Sequence, residues 1–256
     1  MFVKRSGSAP AGFFACEAAG LQWLSDADGV PCAKVIGYDD VSLTLERLEV
    51  AAPTRTAAHE FGRRLARTHD AGADAFGAPP QGWTGPGYFG PLQQPLPMSY
   101  TAGDRWGSFY ANERLAPMTG RAASQLDTPT CNAIDTVMAH CDEGEFDDDD
   151  PPARLHGDLW SGNVMWTPGG AVLIDPAAHG GHRETDLAML ALFGCPHLDA
   201  VIEGYQAQRP LREGWRDRVG LHQLYPLLAH VALFGGGYAR QTAFAAASAL
   251  RAGKDR

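Results

Sequence analysis

In LHGDLWSGNVMW, residues 155–166, Asp158 precedes Asn163 by five positions across a Trp-Ser-Gly loop. Asp175 follows twelve residues after Asn163, at the end of the apolar run AVLI. Between them Thr167-Pro168-Gly169-Gly170 is a turn signal that pairs the flanking segments as a hairpin. Nothing else in the chain restricts the fold as tightly, because the three side chains meet only if a loop, a hairpin and a strand end converge. The residue types restrict the chemistry as well. Moving a phosphoryl group onto a hydroxyl needs one carboxylate against that hydroxyl to accept its proton. It also needs hard oxygen ligands, such as a carboxylate and an amide, to hold Mg²⁺ on the nucleotide phosphates.

Protein kinases use this same spacing: a catalytic aspartate, an asparagine five residues later and a metal-binding aspartate after a hairpin. Two further residues fit. Lys4 ends a short strand, FVK, and Glu17 lies thirteen residues on. Glu17 falls within the apolar face of a helix expected from about Pro10 to Leu24, beside Phe13, Phe14, Leu21 and Leu24. A carboxylate there is costly without a cationic partner, and a lysine that positions phosphates supplies one. The plainer reading is a surface lysine and an oddly placed glutamate. Strands at AKVIGYD and VSLTLERL, turning at Asp39-Asp40, complete a small lobe that ends near Leu48.

The remainder reads as mainly helical. Residues 54–69 carry Ala58, Phe61, Leu65 and Thr68/His69 in a helical stripe, and further helices are expected near 104–118, 129–141 and 215–233. Pro226 is expected to kink the last of these and Gly235-Gly236-Gly237 to end it. Residues 71–103 are rich in Gly and Pro and read as a long ordered loop, and DEGEFDDDDPP as a solvated acidic loop. The fold class is therefore α+β, a two-lobed protein-kinase-like fold. It has a truncated N-terminal lobe (1–48) and a mainly helical catalytic and substrate-binding lobe (49–256).

Composition removes several alternatives. The net charge is −9 with no basic cluster, which argues against nucleic-acid or anionic-membrane partners. No apolar run approaches the ~18 residues of a membrane span, and the start turns polar too early for a signal peptide. Five scattered cysteines without a CxxC read as free thiols in a reducing cytoplasm. His179-Gly-Gly-His182 with His156 makes a poor zinc site, since the glycines offer no helix or strand to fix ligands. His156 reads instead as a backbone-bonded histidine that shapes the catalytic turn. Ser161 lacks the nucleophile elbow a serine hydrolase needs.

HGDLWSGN (156–163), IDPAAHGGHRETDLAMLALFG (174–194) and LHQLYPLLAHVALFGGGY (221–238) closely resemble the fructosamine kinase (ketosamine 3-kinase) family, within the aminoglycoside-phosphotransferase-like kinases. FVK, FFACEAAGL and RWGSFYANERL extend the resemblance over nearly the whole chain. It implies Asp158 as catalytic base, Asn163 and Asp175 as Mg²⁺ ligands, and Lys4 paired with Glu17 on the ATP phosphates. The backbone from Glu46 to Leu48 becomes the hinge that takes the adenine edge, and Asp186 a brace for the catalytic loop. It further implies a ketosamine substrate phosphorylated on the sugar O3, whose 3-phosphate then decomposes and frees the amine. An acidic chain suits a substrate bearing a cationic amine.

Two departures from the family pattern stand out. A glycine-rich phosphate-covering hairpin is expected before the FVK strand, where this sequence has only Met1. The expectation is an exposed N-terminal sheet edge that invites self-association, with either a reading frame that begins upstream or a crippled or partner-completed kinase. The stretch before the RWGSFY helix reads LQQPLPMSY, which leaves the sugar and the amine open. The alternatives are a kinase of another amino-sugar or amino-alcohol, and a non-catalytic binding protein that lacks the nucleotide clamp.

Overall fold

The computed structural model describes residues 1–253. Strands β1 (Phe2–Arg5), β2 (Val35–Tyr38) and β3 (Ser42–Leu45) form an antiparallel sheet in the order β1-β3-β2, with helix α1 (Phe13–Ser25) packed against it. Leu43 and Leu45 on the central strand are buried with Phe14, Leu21 and Leu24 of α1. Lys4 sits opposite Leu43, and this register carries its side chain to the helix.

Helix α2 (Arg55–Asp70) starts at Thr54, whose hydroxyl caps the Ala57 N–H. Its stripe of Ala58, Phe61 and Leu65 is buried in the same cluster as the sheet, so one core runs across position 48. Helix α2 also packs along α7 (Leu198–Gln208) at a distance only glycines permit. A Cβ at Gly62 would stand 1.8 Å from the Val201 carbonyl, and one at Gly204 would stand 1.9 Å from that of His59.

The segment expected as one long loop contains a hairpin, β4 (Gly87–Phe89) with β5 (Leu96–Met98). Strands of three residues are too short to show alternation, and Pro97 in the second masks it further. The expected helix near 104–118 is three pieces: α3 (Trp106–Phe109), a π-helical turn over Tyr110–Leu115, and α4 (Ala116–Ala122). Helix α5 (Thr128–Glu143) follows.

The acidic run after α5 is not a solvated loop. Asp147 accepts from Arg105 and from the Gly107 N–H, and Asp148 meets His182 and Arg212. Asp150 pairs with Arg183 at 2.6 Å and Arg209 at 3.0 Å. Its partners lie up to 59 residues away, so the sequence displays the charges without the cations that neutralise them.

Strand β6 (Ala153–Leu155) leads into the loop of 156–163, followed by the hairpin β7 (Val164–Thr167) and β8 (Gly170–Leu173). Strand β9 (His179–Gly181) returns to pair with β6, so the His-Gly-Gly segment does adopt strand structure. The loop of 156–163 and the Asp175 segment are thus held between two small antiparallel pairs. The β7–β8 hairpin is tied to the first sheet's connections: Leu173 exchanges hydrogen bonds with Pro31 and Ala33, and Trp166 accepts from Ala51. Helices α6 (Glu184–Leu192), α7, α8 (Trp215–Phe234) and α9 (Ala239–Ala252) complete the chain. Helix α8 runs through Pro226 and ends at Gly235, with φ of 80°. It packs with α4, α6 and α9 around a second core that includes Leu224, Leu228, Met118 and Leu115.

Candidate active site

A cavity of about 390 Å³ collects most of the side chains singled out from the sequence: Lys4, Glu17, Asp158, Asn163 and Asp175 all line it. Lys4 Nζ lies 2.6 Å from Glu17 Oε1 and 2.5 Å from Asp175 Oδ1. Burial works against the lysine's charge, but the two carboxylates outweigh it and hold the ammonium above its ordinary value. Burial pushes Glu17 up, with Lys4 opposing. One cation therefore joins strand β1, helix α1 and the second residue after β8. Glu46 and Leu48 do not line this cavity. Their segment is anchored through the Glu46 N–H to the Lys34 carbonyl, and neither the Glu46 carbonyl nor the Leu48 N–H has a backbone partner among the described residues.

The loop geometry begins at Gly157, whose φ is 80° and whose Cβ would meet the Ala177 carbonyl at 2.2 Å, so a side chain is excluded there. His156 is fully buried; its Nδ1 accepts from the Asp158 N–H at 3.2 Å, and its Nε2–H donates to the Ile174 carbonyl at 2.8 Å. Burial lowers its pKa. It is a neutral, backbone-bonded ring that pins the turn of 156–158 to the segment before Asp175. His179 bonds the Ala177 carbonyl instead, and His156 and His179 belong to no metal-binding group among the described residues.

Asp186 braces the same turn from below. On the first turn of α6 and fully buried, it accepts from the His156 N–H at 2.8 Å, the Gly157 N–H at 3.0 Å and His69 Nε2 at 3.2 Å. Burial opposes its charge, but these donors outweigh burial and hold the carboxyl below its usual range. His69 in turn accepts from the Tyr205 hydroxyl at 2.8 Å. The brace thus extends through α2 to α7. His69 was visible only as the end of a helical stripe, and nothing in the sequence marks Tyr205.

Asn163 turns its amide nitrogen to the Asp158 carbonyl at 2.8 Å, Asp158 Oδ2 at 3.2 Å and the Asp175 carbonyl at 3.4 Å. Its amide oxygen is left for another ligand. Asp175 adopts φ of 55°, a left-handed conformation uncommon for a residue with a side chain and one that recurs at functional sites. An amide oxygen and a partly exposed carboxylate facing one cavity are hard donors that fit Mg²⁺. Burial pushes Asp158 up to about 7; the Asn163 hydrogen bond opposes this, and the Asp175 and Asp186 carboxylates reinforce it. A carboxyl titrating near neutrality in a cavity can take a proton from a hydroxyl.

The other wall of the cavity, which the sequence did not reveal, is apolar and aromatic: Leu92, Trp160, Leu233 and Phe234 with the half-buried His230. Trp160 comes from the loop of 156–163, Leu92 from the β4–β5 turn, and the others from the end of α8.

The family model described as fructosamine kinase matches residues 1–252. A probable ketoamine kinase from Synechocystis sp. is 33% identical over 248 residues, covering 94% of this chain and 79% of that protein. The crystal structure of a candidate fructosamine-3-kinase from Thermobifida fusca aligns with a TM-score of 0.89 at 49% identity, covering 98% of this chain and 85% of that one. A choline/ethanolamine kinase family protein from Mesorhizobium loti, 13% identical, shares the fold with a TM-score of 0.61 over 100% of this chain and 93% of that one. The α+β, protein-kinase-like fold read from the sequence is the fold observed. No helix among the described residues is long and apolar enough to cross a membrane.

Proposed function

The chain belongs to the fructosamine kinase family and is an ATP-dependent small-molecule kinase, and from that premise we propose that it phosphorylates the O3 hydroxyl of a ketosamine, so that the phosphorylated sugar is shed and the amine freed. The observation that carries this reading is the Lys4–Glu17–Asp175 ion cluster set beside Asp158 and Asn163 in one cavity.

In this reading Asp158 is the catalytic base. Its carboxyl titrates near neutrality, it is steadied by the Asn163 amide, and its loop is fixed by His156 and Asp186. It accepts the proton of the acceptor hydroxyl as that oxygen bonds to the terminal phosphorus of ATP and the bridging oxygen leaves with ADP. Lys4, held by Glu17, places a fixed positive charge where the phosphates bind. The Glu46 carbonyl and Leu48 N–H offer one acceptor and one donor to the adenine edge, and position 48 divides a nucleotide-covering lobe from the catalytic one. Asn163 and Asp175 would hold Mg²⁺, which when bound neutralises charge on the phosphate oxygens. Lys4 and Asp175 are already in contact, so the lysine also keeps that carboxylate turned into the cavity.

The test is direct. Incubation with ATP, Mg²⁺ and fructosyl-lysine should yield ADP and a sugar phosphate assigned to O3 by NMR, and the 3-deoxy analogue should yield neither. Turnover confined to aminoglycosides or short amino-alcohols would overturn the ketosamine reading.

A further inference from the structure

The cavity is divided by charge. Its charged end holds Lys4, Glu17, Asp158, Asn163 and Asp175, whereas the rest of the lining includes Leu92, Gln93, Leu233 and the rings of Trp160, His230 and Phe234. With Phe193 and Tyr238 those rings form a continuous series: Trp160 to Phe193 at 6.3 Å between centroids, Phe193 to His230 at 4.7 Å, His230 to Phe234 at 5.4 Å, and His230 to Tyr238 at 5.0 Å. Trp160 and Phe234 keep 40% and 58% of their surface exposed, although both line the cavity. Aromatic area left open in this way, at the mouth of a site, is a place for a ligand to bury apolar surface.

Among the described residues that line the cavity, Lys4 is the single permanent cation, and it is committed to Glu17 and Asp175. His230 donates from Nδ1 to the Pro226 carbonyl at 2.7 Å. Burial lowers its pKa, so it adds no charge at neutral pH. The acceptor hydroxyl must reach Asp158, which lies two residues from Trp160, so the part of the substrate beyond the sugar extends onto this wall. A secondary ammonium there is favoured by the ring faces. A carboxylate one carbon away from that nitrogen would meet ring faces, no cation and the field of a chain with net charge −9.

We propose that the wall of Leu92, Gln93, Trp160, His230, Leu233 and Phe234 is an amine-side subsite selective for ketosamines of apolar or aromatic amines, and that it rejects ketosamines joined through the α-nitrogen of an amino acid. This rests on the ketosamine reading and adds to it the character of the amine.

The experiment compares kcat/KM for fructosyl-benzylamine and fructosyl-glycine, with fructosyl-lysine as a reference that tests the parent reading. The benzylamine adduct should be favoured by ~10-fold or more, the range in which pocket contacts discriminate ligands. Gln93→Arg should raise kcat/KM for fructosyl-glycine and narrow the ratio. Phe234→Ala, at an exposed position, should raise KM for the benzylamine adduct with little change in kcat. Equal kcat/KM for the two adducts, or a preference for fructosyl-glycine, would overturn the subsite while leaving the ketosamine reading intact. No turnover of any of the three ketosamines would instead bring down the parent reading, and this one with it.

Discussion

Asp158 and Asp186 are aspartates at one loop, and their surroundings give them different work. Asp158 faces the cavity with a single side-chain donor, Asn163, whereas Asp186 is sealed beneath the loop and takes three donors. Asp158→Asn keeps the shape and removes the proton acceptor, so kcat should fall ~10²–10⁴-fold, with Tm and ATP affinity nearly unchanged. Asp186→Ala should lose activity and stability together, because each buried donor left without a partner costs ~1–3 kcal/mol. Steady-state kinetics beside thermal denaturation separate the two; wild-type turnover in Asp158→Asn would remove that residue from the mechanism. The difference in legibility follows the same line. Asp158, Asn163 and Asp175 fall within eighteen residues, at spacings that phosphoryl-transfer chemistry imposes, and Glu17 announced itself as a carboxylate in an apolar stripe. His69 and Tyr205 reach the brace from 117 residues before Asp186 and 136 residues beyond His69. That proximity is created by tertiary packing and leaves no local pattern.

Helix α2 was readable because it buries one stripe over several turns, and α8, buried on nearly all its faces from Leu221 to Val231, because it is long and ends at a glycine. The β4–β5 hairpin was not, since three residues a strand carry too little alternation, and the acidic run was misread because its arginines and histidine lie elsewhere in the chain. The contact of α2 with α7 deserves its own test, because it carries His69 and Tyr205 and so holds the brace. Gly204→Ala would place a Cβ 1.9 Å from the His59 carbonyl, which forces the helices apart. Overpacking of this kind costs ~1–3 kcal/mol. Tm should fall, and kcat with it, as the Tyr205–His69 hydrogen bond lengthens. A variant with unchanged Tm would show that the two helices tolerate a wider spacing and that their close approach is not what sets the brace.

At the scale of the whole molecule, burial of neutral histidines sets how the protein meets acid. His179 is pushed down to about 3, chiefly by burial and then by the nearby Arg114. His222 is pushed down to about 4, chiefly by burial, with the Glu184 hydrogen bond opposing and His182 reinforcing. His222 is enclosed by Thr185, Glu184, His182, Trp106 and Tyr110, and Arg218 holds Glu184 in a two-pronged pair. Both histidines have folded values below the ordinary value of 6.5 that the unfolded chain regains. Between those limits the unfolded chain binds protons that the folded chain refuses, so the stability involved is complete above 6.5 and is lost as pH falls toward 4 and 3. Each histidine contributes up to ~1.4 kcal/mol per pH unit across its window. Glu184, held down at about 2 against burial by His222 and Arg218, contributes stability that is present above 4.5 and lost as pH falls through that lower value. Acid should therefore act in two stages, the histidines first. Tm measured from pH 7.5 to 4.5 should decline steadily below 6.5, and His222→Gln should decline less steeply over the same range. A flat profile down to pH 4.5 would mean that these rings take up protons within the fold, and that the polar layer joining the acidic run to α6 and α8 stays hydrated enough to hold the charge.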